Sequence, residues 1–198
     1  AQCAITGEEE PIARIHRKIK GVYGGLATGS VLIGFKNNSG CSYGNEQSYN
    51  SNISEKVMKK YTEALNVLLS SSKHKILLDG MTIVFWAMDK GEEYEDLFLK
   101  MLSQTTDKIK AKELSNILQK LMRDGQKGEL LKEHFLELDK IDENVDFYLL
   151  GLKPNSSRLS VKFIFRKKYA DILWNISKFQ QELKIVGGLE IVRIRYIY

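Results

Sequence analysis

Apolar residues recur at helical spacing over one clear stretch of this chain. Behind Ser54, a residue type able to cap a helix N-terminus, Val57, Tyr61, Ala64, Leu65, Leu68 and Leu69 mark out one helical face. The spacing predicts an amphipathic helix that ends near the serines at 70–72. Two short apolar runs follow, 75–78 and 81–88, separated by Asp79-Gly80. Asp-Gly supplies the positive φ angles of a type I′ turn, so the pair reads as a β-hairpin with Thr82, Val84 and Trp86 on one face. Before these elements, residues 1–52 are Gly-rich and read as strands and loops.

The pattern changes beyond residue 90. Residues 91–137 are helix-forming and heavily charged, opening with Glu92, Glu93, Glu95 and Asp96 and continuing through Leu97, Met101, Ile109, Leu114, Ile117, Leu118 and Leu121. This reads as a helical insertion, broken into separate helices at Asp-Gly-Gln-Lys-Gly, residues 124–128. The acidic stretch 139–146 leads back to strand-like sequence. Residues 147–152, a turn at Pro154-Asn155, the alternating Leu159, Val161, Phe163 and Phe165, and a helix over 169–184 make a β-turn-β-α unit. Gly187-Gly188 then permits a turn into a final β-rich run, 189–198. The expected fold class is α+β: a mixed strand and loop N-terminal part (1–90), a charged helical insertion (91–146) and a C-terminal β-turn-β-α unit with a final strand (147–198), together one compact domain.

Composition adds limits. The chain has 198 residues, 43% hydrophobic and 28% charged, enough for a real core and without a bias towards disorder. Two cysteines, Cys3 and Cys41, are too few for a disulfide framework, and no apolar run approaches a membrane span. The chain reads as cytoplasmic and reduced, with no signal or transit pattern at its start.

Net charge is only +5, so charge matters through clustering. Residues 11–45 hold no acidic residue, yet carry Arg14, Arg17, Lys18, Lys20 and Lys36 among Gly21, Gly24, Gly25, Gly29, Gly34, Gly40 and Gly44. Positive charge on a backbone that can approach a partner closely suits nucleic-acid phosphate. A second basic group, Arg158, Lys162, Arg166, Lys167 and Lys168, follows strand alternation in part, placing Arg158, Lys162 and Arg166 on one polar face. The candidate nucleic-acid-binding residues are therefore Arg14, Arg17, Lys18, Lys20, Gly24, Gly25, Lys36, Arg158, Lys162, Arg166, Lys167 and Lys168.

The same residues carry a resemblance. Residues 3–8 (Cys-Ala-Ile-Thr-Gly-Glu), 11–22 (Pro-Ile-Ala-Arg-Ile-His-Arg-Lys-Ile-Lys-Gly-Val), 24–29, 31–37 and 42–50 resemble the type I-C CRISPR-associated Cascade large subunit family, the Dvulg subtype. Tyr61 with Ala64-Leu65-Asn66, then 82–87, 147–155 and 158–163 continue the match in the same order, over about residues 3–186. Family members are much longer, so the resemblance implies an internal fragment. It also implies the partners of the full subunit: crRNA-containing Cascade subunits, target DNA and a recruited helicase-nuclease, with no membrane. The contacts to the protospacer-adjacent motif are expected mainly upstream of this stretch, and none is assigned to it.

Catalytic alternatives are weaker. Gly24-Gly25 with Gly29 lacks the Gly-Lys-Ser/Thr closure of a phosphate-binding loop and any Gly-x-Gly-x-x-Gly spacing. Two thiols and His16, His74 and His134 are too scattered for a tetrahedral metal site. The resembling family carries Cys and His at the positions of Cys3 and His16. This leaves open a structural contact between them, beside the plainer reading of a buried cysteine and a surface or phosphate-facing histidine. The acids around 89–96 read as the solvated first turns of a helix, favoured by its dipole, and not as a metal site. Phe85, Trp86, Phe163, Phe165 and Trp174 could stack on bases, with core packing the default for most. The expectation is a non-enzymatic binding protein without cofactor or metal; the alternative is a protein-protein scaffold region that does not touch nucleic acid.

Overall fold

The computed structural model describes residues 1–35, 41–102, 142 and 144–182. Helix α1 spans Glu55–Ser70, strands β1 and β2 span Lys75–Leu78 and Met81–Ala87, and helix α2 spans Glu93–Leu102. Strands β3 (Asp146–Asn155) and β4 (Arg158–Lys168) and helix α3 (Tyr169–Glu182) complete the described elements. The strands form one antiparallel sheet in the order β1-β2-β3-β4, an α+β fold. By internal packing the chain divides into two units, Ala1–Val84 with Leu150–Ile164 and Phe85–Leu149 with Phe165–Tyr198. Most of the insertion expected over 91–146, the end of the C-terminal helix and the final strand over 189–198 lie outside the described residues. Among the described residues no helix is long and apolar enough to cross a membrane.

The first unit is organised by α1. Ser54 caps it as expected, its Oγ accepting from the Val57 N–H at 3.2 Å. The buried line is Met58, Thr62, Leu65 and Leu69, with Tyr61 and Leu68 half-buried and Ala64 exposed. The N-terminal segment runs along this helix. Ala13 N–H donates to Ile53 O at 2.9 Å, Glu55 N–H to Pro11 O at 2.9 Å and Lys20 N–H to Asn66 Oδ1 at 2.8 Å, while Asn66 Nδ2 returns a bond to Lys18 O at 3.1 Å. Along it Ala13, His16, Ile19 and Val22 are buried, a period of three. That is neither the period of a strand nor that of an α-helix; the chain bends at Arg14 and Ile15 between isolated bridges at Ile12 and Ile19.

This register overturns the expectation of a surface or phosphate-facing His16. The ring is buried, and Nδ1 shares a 2.6 Å hydrogen bond with the Tyr61 hydroxyl. Burial holds its pKa below the usual histidine value and pushes the Tyr61 phenol up to about 12. Cys3 is buried as expected and accepts a hydrogen bond from the Ser54 N–H at 3.4 Å. The Thr6 N–H above all, with those of Ile5 and Ser54, draws its thiol down to about 6, against burial, which raises it.

The hairpin forms as the Asp-Gly signal implies. Asp79 and Gly80 have φ of 49° and 63°, and Lys75 pairs with Val84 through to Leu78 with Met81. The β3–β4 turn is displaced from its expected place. Pro154-Asn155 still belong to β3, and the chain reverses at Ser156-Ser157, with Ser156 at φ 57°. In β3, a Cβ on Gly151 would lie 2.6 Å from Phe163 Cε1 of β4 and 3.0 Å from Met81 Sδ, so the missing side chain is what admits the Phe163 ring.

The second unit holds an aromatic core. Phe85 stands 4.7 Å from Phe98 and 6.2 Å from Phe147, and Phe147 stands 5.2 Å from Tyr169, ring centre to ring centre. Tyr94 meets Tyr169 edge-on at 5.0 Å, and the Tyr169 hydroxyl donates to Tyr94 O at 2.8 Å. The acids of α2 are not all solvated, contrary to the sequence expectation. Glu92 and Glu93 are exposed, but Glu95 is only 2% exposed and accepts from the Ala87 N–H at 2.7 Å. It closes a backbone donor at the end of β2, which a sequence reading of helix-dipole preference does not reveal.

Two outcomes test this account. Gly151→Val should destabilise the fold by about 1–3 kcal/mol through overpacking against Phe163, measured by denaturant unfolding, and Phe163→Ala on that background should recover part of the loss. The Cys3 pKa is lower in the folded than in the unfolded chain, so its stabilisation is complete above pH 9.0 and fades as pH falls towards about 6. Wild-type stability should drop across that window while Cys3→Ser stays flatter; parallel profiles would refute the thiolate assignment.

Candidate nucleic-acid interface

The segment's period of three sorts its cations. With Ala13, His16, Ile19 and Val22 inward, Arg14, Arg17 and Lys20 fall in one row at the same spacing, and Lys18 stands beside it. All four are exposed, but they are not equally free. Arg14 Nε donates to Gln47 Oε1 at 2.9 Å, and Arg17 pairs with Glu63 at 3.1 Å with both side chains more than half exposed. Lys18 Nζ donates to the Thr28 hydroxyl at 3.3 Å.

A second strand-like contact holds Lys18 and Lys20. Ile19 pairs antiparallel with Ser30 through two backbone hydrogen bonds, Ile19 N–H to Ser30 O at 2.8 Å and the reverse at 2.9 Å. Gly29, φ 86°, permits this closeness: a Cβ there would lie 2.8 Å from Ile19 O and 3.0 Å from both the Lys18 and Lys20 side chains. The close approach expected of this glycine thus occurs, but to the chain's own basic strand. Val31, the next residue after Ser30, pairs in parallel with Arg158, accepting from Leu159 N–H at 2.8 Å and donating to Ser157 O at 3.1 Å.

Two successive pairings therefore bring Lys18-Ile19-Lys20 and Arg158 together, although about 140 residues separate them in sequence. Each pairing spans one strand spacing, so the backbones lie of order 10 Å apart. Lys162, two pleats further along β4, is exposed too. Gly24 and Gly25 belong to the same unit and border Pro154 of β3, at 3.5 Å and 3.9 Å from their would-be Cβ atoms. Lys36 lies outside the described residues.

The remaining cations belong to the second unit. Arg166 Nη2 reaches Asp146 Oδ2 at 2.6 Å, Lys168 Nζ reaches Asp146 Oδ1 at 3.0 Å, and Lys167 is exposed. The Arg166 hydrogen bond first, then that of Lys168, holds the Asp146 carboxyl below its usual range. The sequence reading did not anticipate Asp146 as counterion to two of its candidates. The signal was present as an acid and two bases on facing strands, but it could be read only with the hairpin turn correctly placed. Tyr148 was missed for the same reason: its ring stacks on Trp86 at 5.1 Å with planes 1° apart, and Arg166 Cζ lies 5.9 Å from its centre. Among the described residues no group of three His, Cys, Asp or Glu is placed to hold a metal ion.

No curated protein matches the chain. The family model described as CRISPR-associated protein (Cas_Csd1) matches residues 1–196. That span takes in the basic N-terminal segment, α1, the sheet and α3, and it agrees with the family resemblance in the sequence. The chain belongs to this family of CRISPR-associated proteins.

Proposed function

We propose that this chain is a non-catalytic part of the large subunit of a crRNA-guided type I-C surveillance complex, where it contributes to target DNA binding and complex assembly in cytoplasmic antiviral defence. The observation that supports this most is the pairing of Ile19 with Ser30 and of Val31 with Arg158, which brings two basic groups together on one unit. Converging exposed cations suit a phosphate backbone, whose density of charge no single lysine matches. Lys18, Lys20, Arg158 and Lys162 are the residues best suited to that role; Arg17, Arg166 and Lys168 each already hold a carboxylate.

The interaction is electrostatic and independent of sequence. Reading of the target belongs to guide pairing, and the protein holds the DNA through its backbone. The partners in this reading are the crRNA-containing subunits of the complex, target DNA and the helicase-nuclease recruited to the whole assembly. The scaffold alternative draws on a different observation: Ile15, Tyr23 and Leu26 of the same segment are 66%, 60% and 51% exposed, a surface that a neighbouring subunit could cover.

The two readings separate by salt. In the reconstituted complex, Lys18→Glu, Lys20→Glu and Arg158→Glu together should weaken duplex DNA binding. The magnitude of the log K against log salt slope should fall by about 0.9 for each phosphate that is no longer neutralised. Stability should change by less than about 0.5 kcal/mol, since exposed surface charges contribute little. An unchanged slope in a folded triple variant would favour the scaffold.

Absence of catalysis is tested separately. Incubation with duplex DNA, single-stranded DNA or RNA and magnesium or manganese should leave each intact. Cleavage that vanishes in Asp89→Asn or Glu92→Gln would overturn the binding-only assignment.

A further inference from the structure

His16 is a buried titratable group that phosphate binding does not use. It is 2% exposed, although Arg14, Arg17, Lys18 and Lys20 around it in the same segment are all exposed. Hydrogen bonds hold the backbone on both sides of it: Ser48 N–H donates to Arg14 O at 3.2 Å, Arg17 N–H to Met58 Sδ at 3.4 Å, and Lys20 N–H to Asn66 Oδ1 at 2.8 Å. The ring is held as well. Its Nδ1 shares the 2.6 Å hydrogen bond with the Tyr61 hydroxyl of α1, the two rings tilted by 40° with centres 5.9 Å apart. Its Nε2 is also buried, and among the described residues that atom has no hydrogen-bond partner.

This arrangement suits a neutral imidazole. A neutral ring has one N–H and one lone pair, so the Tyr61 hydroxyl can serve Nδ1 in either tautomer, by donating or by accepting. Protonation makes both nitrogens donors. The hydroxyl must then accept, and the new charge is left in a buried place with an Nε2–H that finds no acceptor there. Opposite charge is not at hand to offset it. Tyr61 stays a phenol, its pKa pushed up to about 12 by burial. On the surrounding elements Glu46, Lys60 and Glu63 are exposed, as are Arg14 and Arg17 on the segment itself; Glu63 already holds Arg17, and Glu10 holds Lys56 at 3.3 Å. Cys3, the other buried titratable group of the N-terminal stretch, accepts from the Ser54 N–H. Burial accordingly holds the His16 pKa below the usual histidine value.

We infer that His16 is a pH-sensitive latch: a neutral ring bonded to Tyr61 keeps residues 12–20 docked along α1, and a proton on the ring releases them. Release would loosen the pairing of Ile19 with Ser30, which brings Lys18 and Lys20 near Arg158. The sign follows from linkage. The folded pKa is the lower one, so the stabilisation is complete above 6.5 and fades as pH falls below it, where only the released segment takes up the proton. The latch rests on burial and hydrogen bonding, and it stands or falls apart from the phosphate-binding reading.

Amide hydrogen exchange of the 198-residue chain, corrected for the intrinsic effect of pH and followed from about pH 7.5 to about 5.5, tests this. The amides of Ala13, Ile19 and Lys20 should lose protection below pH 6.5, by up to about tenfold per pH unit, the limit for uptake of one proton. The amides of the β1–β2 hairpin should not follow. In His16→Gln, whose side chain keeps a partner for the Tyr61 hydroxyl but does not titrate, protection of the segment should be flat over the same range; Cys3 is present in both chains, so its own titration cancels in the comparison. The wild-type chain gives a second measurement that needs no variant. Followed by the imidazole 15N shifts, the His16 ring should stay neutral while the Lys20 amide is protected and become protonated in step with its release. Flat protection in the wild type, an equal loss in His16→Gln, hairpin amides that fall together with the segment, or a ring that protonates near 6.5 with Lys20 still protected would each overturn the latch.

Discussion

The packing of the N-terminal segment along α1 is the constraint on which the first unit depends. Four backbone or amide hydrogen bonds tie residues 11–20 to Ile53, Glu55 and Asn66, and the apolar positions between them sink every third side chain. Hydrogen bonding decides the conformation because a lone extended segment cannot satisfy its own backbone groups; it must borrow partners from a neighbour. Asn66 supplies two of them at once, to Lys18 O and Lys20 N–H. Once the segment is held this way, burial of Ala13, His16 and Ile19 leaves Arg14, Arg17 and Lys20 on the exposed side, where Arg14 meets Gln47 and Arg17 meets Glu63.

From that geometry the distribution of charge follows. Basic residues on a surface are ordinarily worth little to stability, and several here have found an acid or amide partner close by. Arg17 with Glu63, and Arg166 and Lys168 with Asp146, are surface pairs whose attraction is screened by salt. Lys18, Lys20 and Arg158, by contrast, are exposed residues whose backbones are brought near one another by the two pairings through Ser30 and Val31.

Unit two depends on a different force. Phe85, Phe98, Phe147, Tyr94 and Tyr169 bury large rings in edge-on and tilted contact, and the alternation of β2 and β3 then obliges Trp86 and Tyr148 to face the other way. A buried core and a half-buried pair of stacked rings thus arise from adjacent residues of the same strands. Glu95 belongs to the core side: its carboxylate takes the Ala87 N–H, so an acid that local preference would place in solvent is drawn inward by a backbone donor at the strand end.

Local sequence determined the elements whose signals are local. Ser54 and the apolar spacing behind it specify α1, Asp79-Gly80 specifies the hairpin, and the alternation from Leu159 onward specifies β4, because each depends only on neighbours within a few residues. The family, too, was legible in ordered blocks of sequence, and the family match covers residues 1–196. What only the tertiary structure decided are the pairings across long separations. Placing the β3–β4 turn at Pro154-Asn155, when the chain reverses at Ser156-Ser157, shifts every cross-strand partner, so neither Asp146 beneath Arg166 and Lys168 nor Tyr148 between Trp86 and Arg166 could be read from the chain alone. The burial of His16 and the meeting of Lys18, Lys20 and Arg158 have the same cause: they rest on hydrogen bonds to segments distant in sequence, and local periodicity carries no information about which segment will supply them.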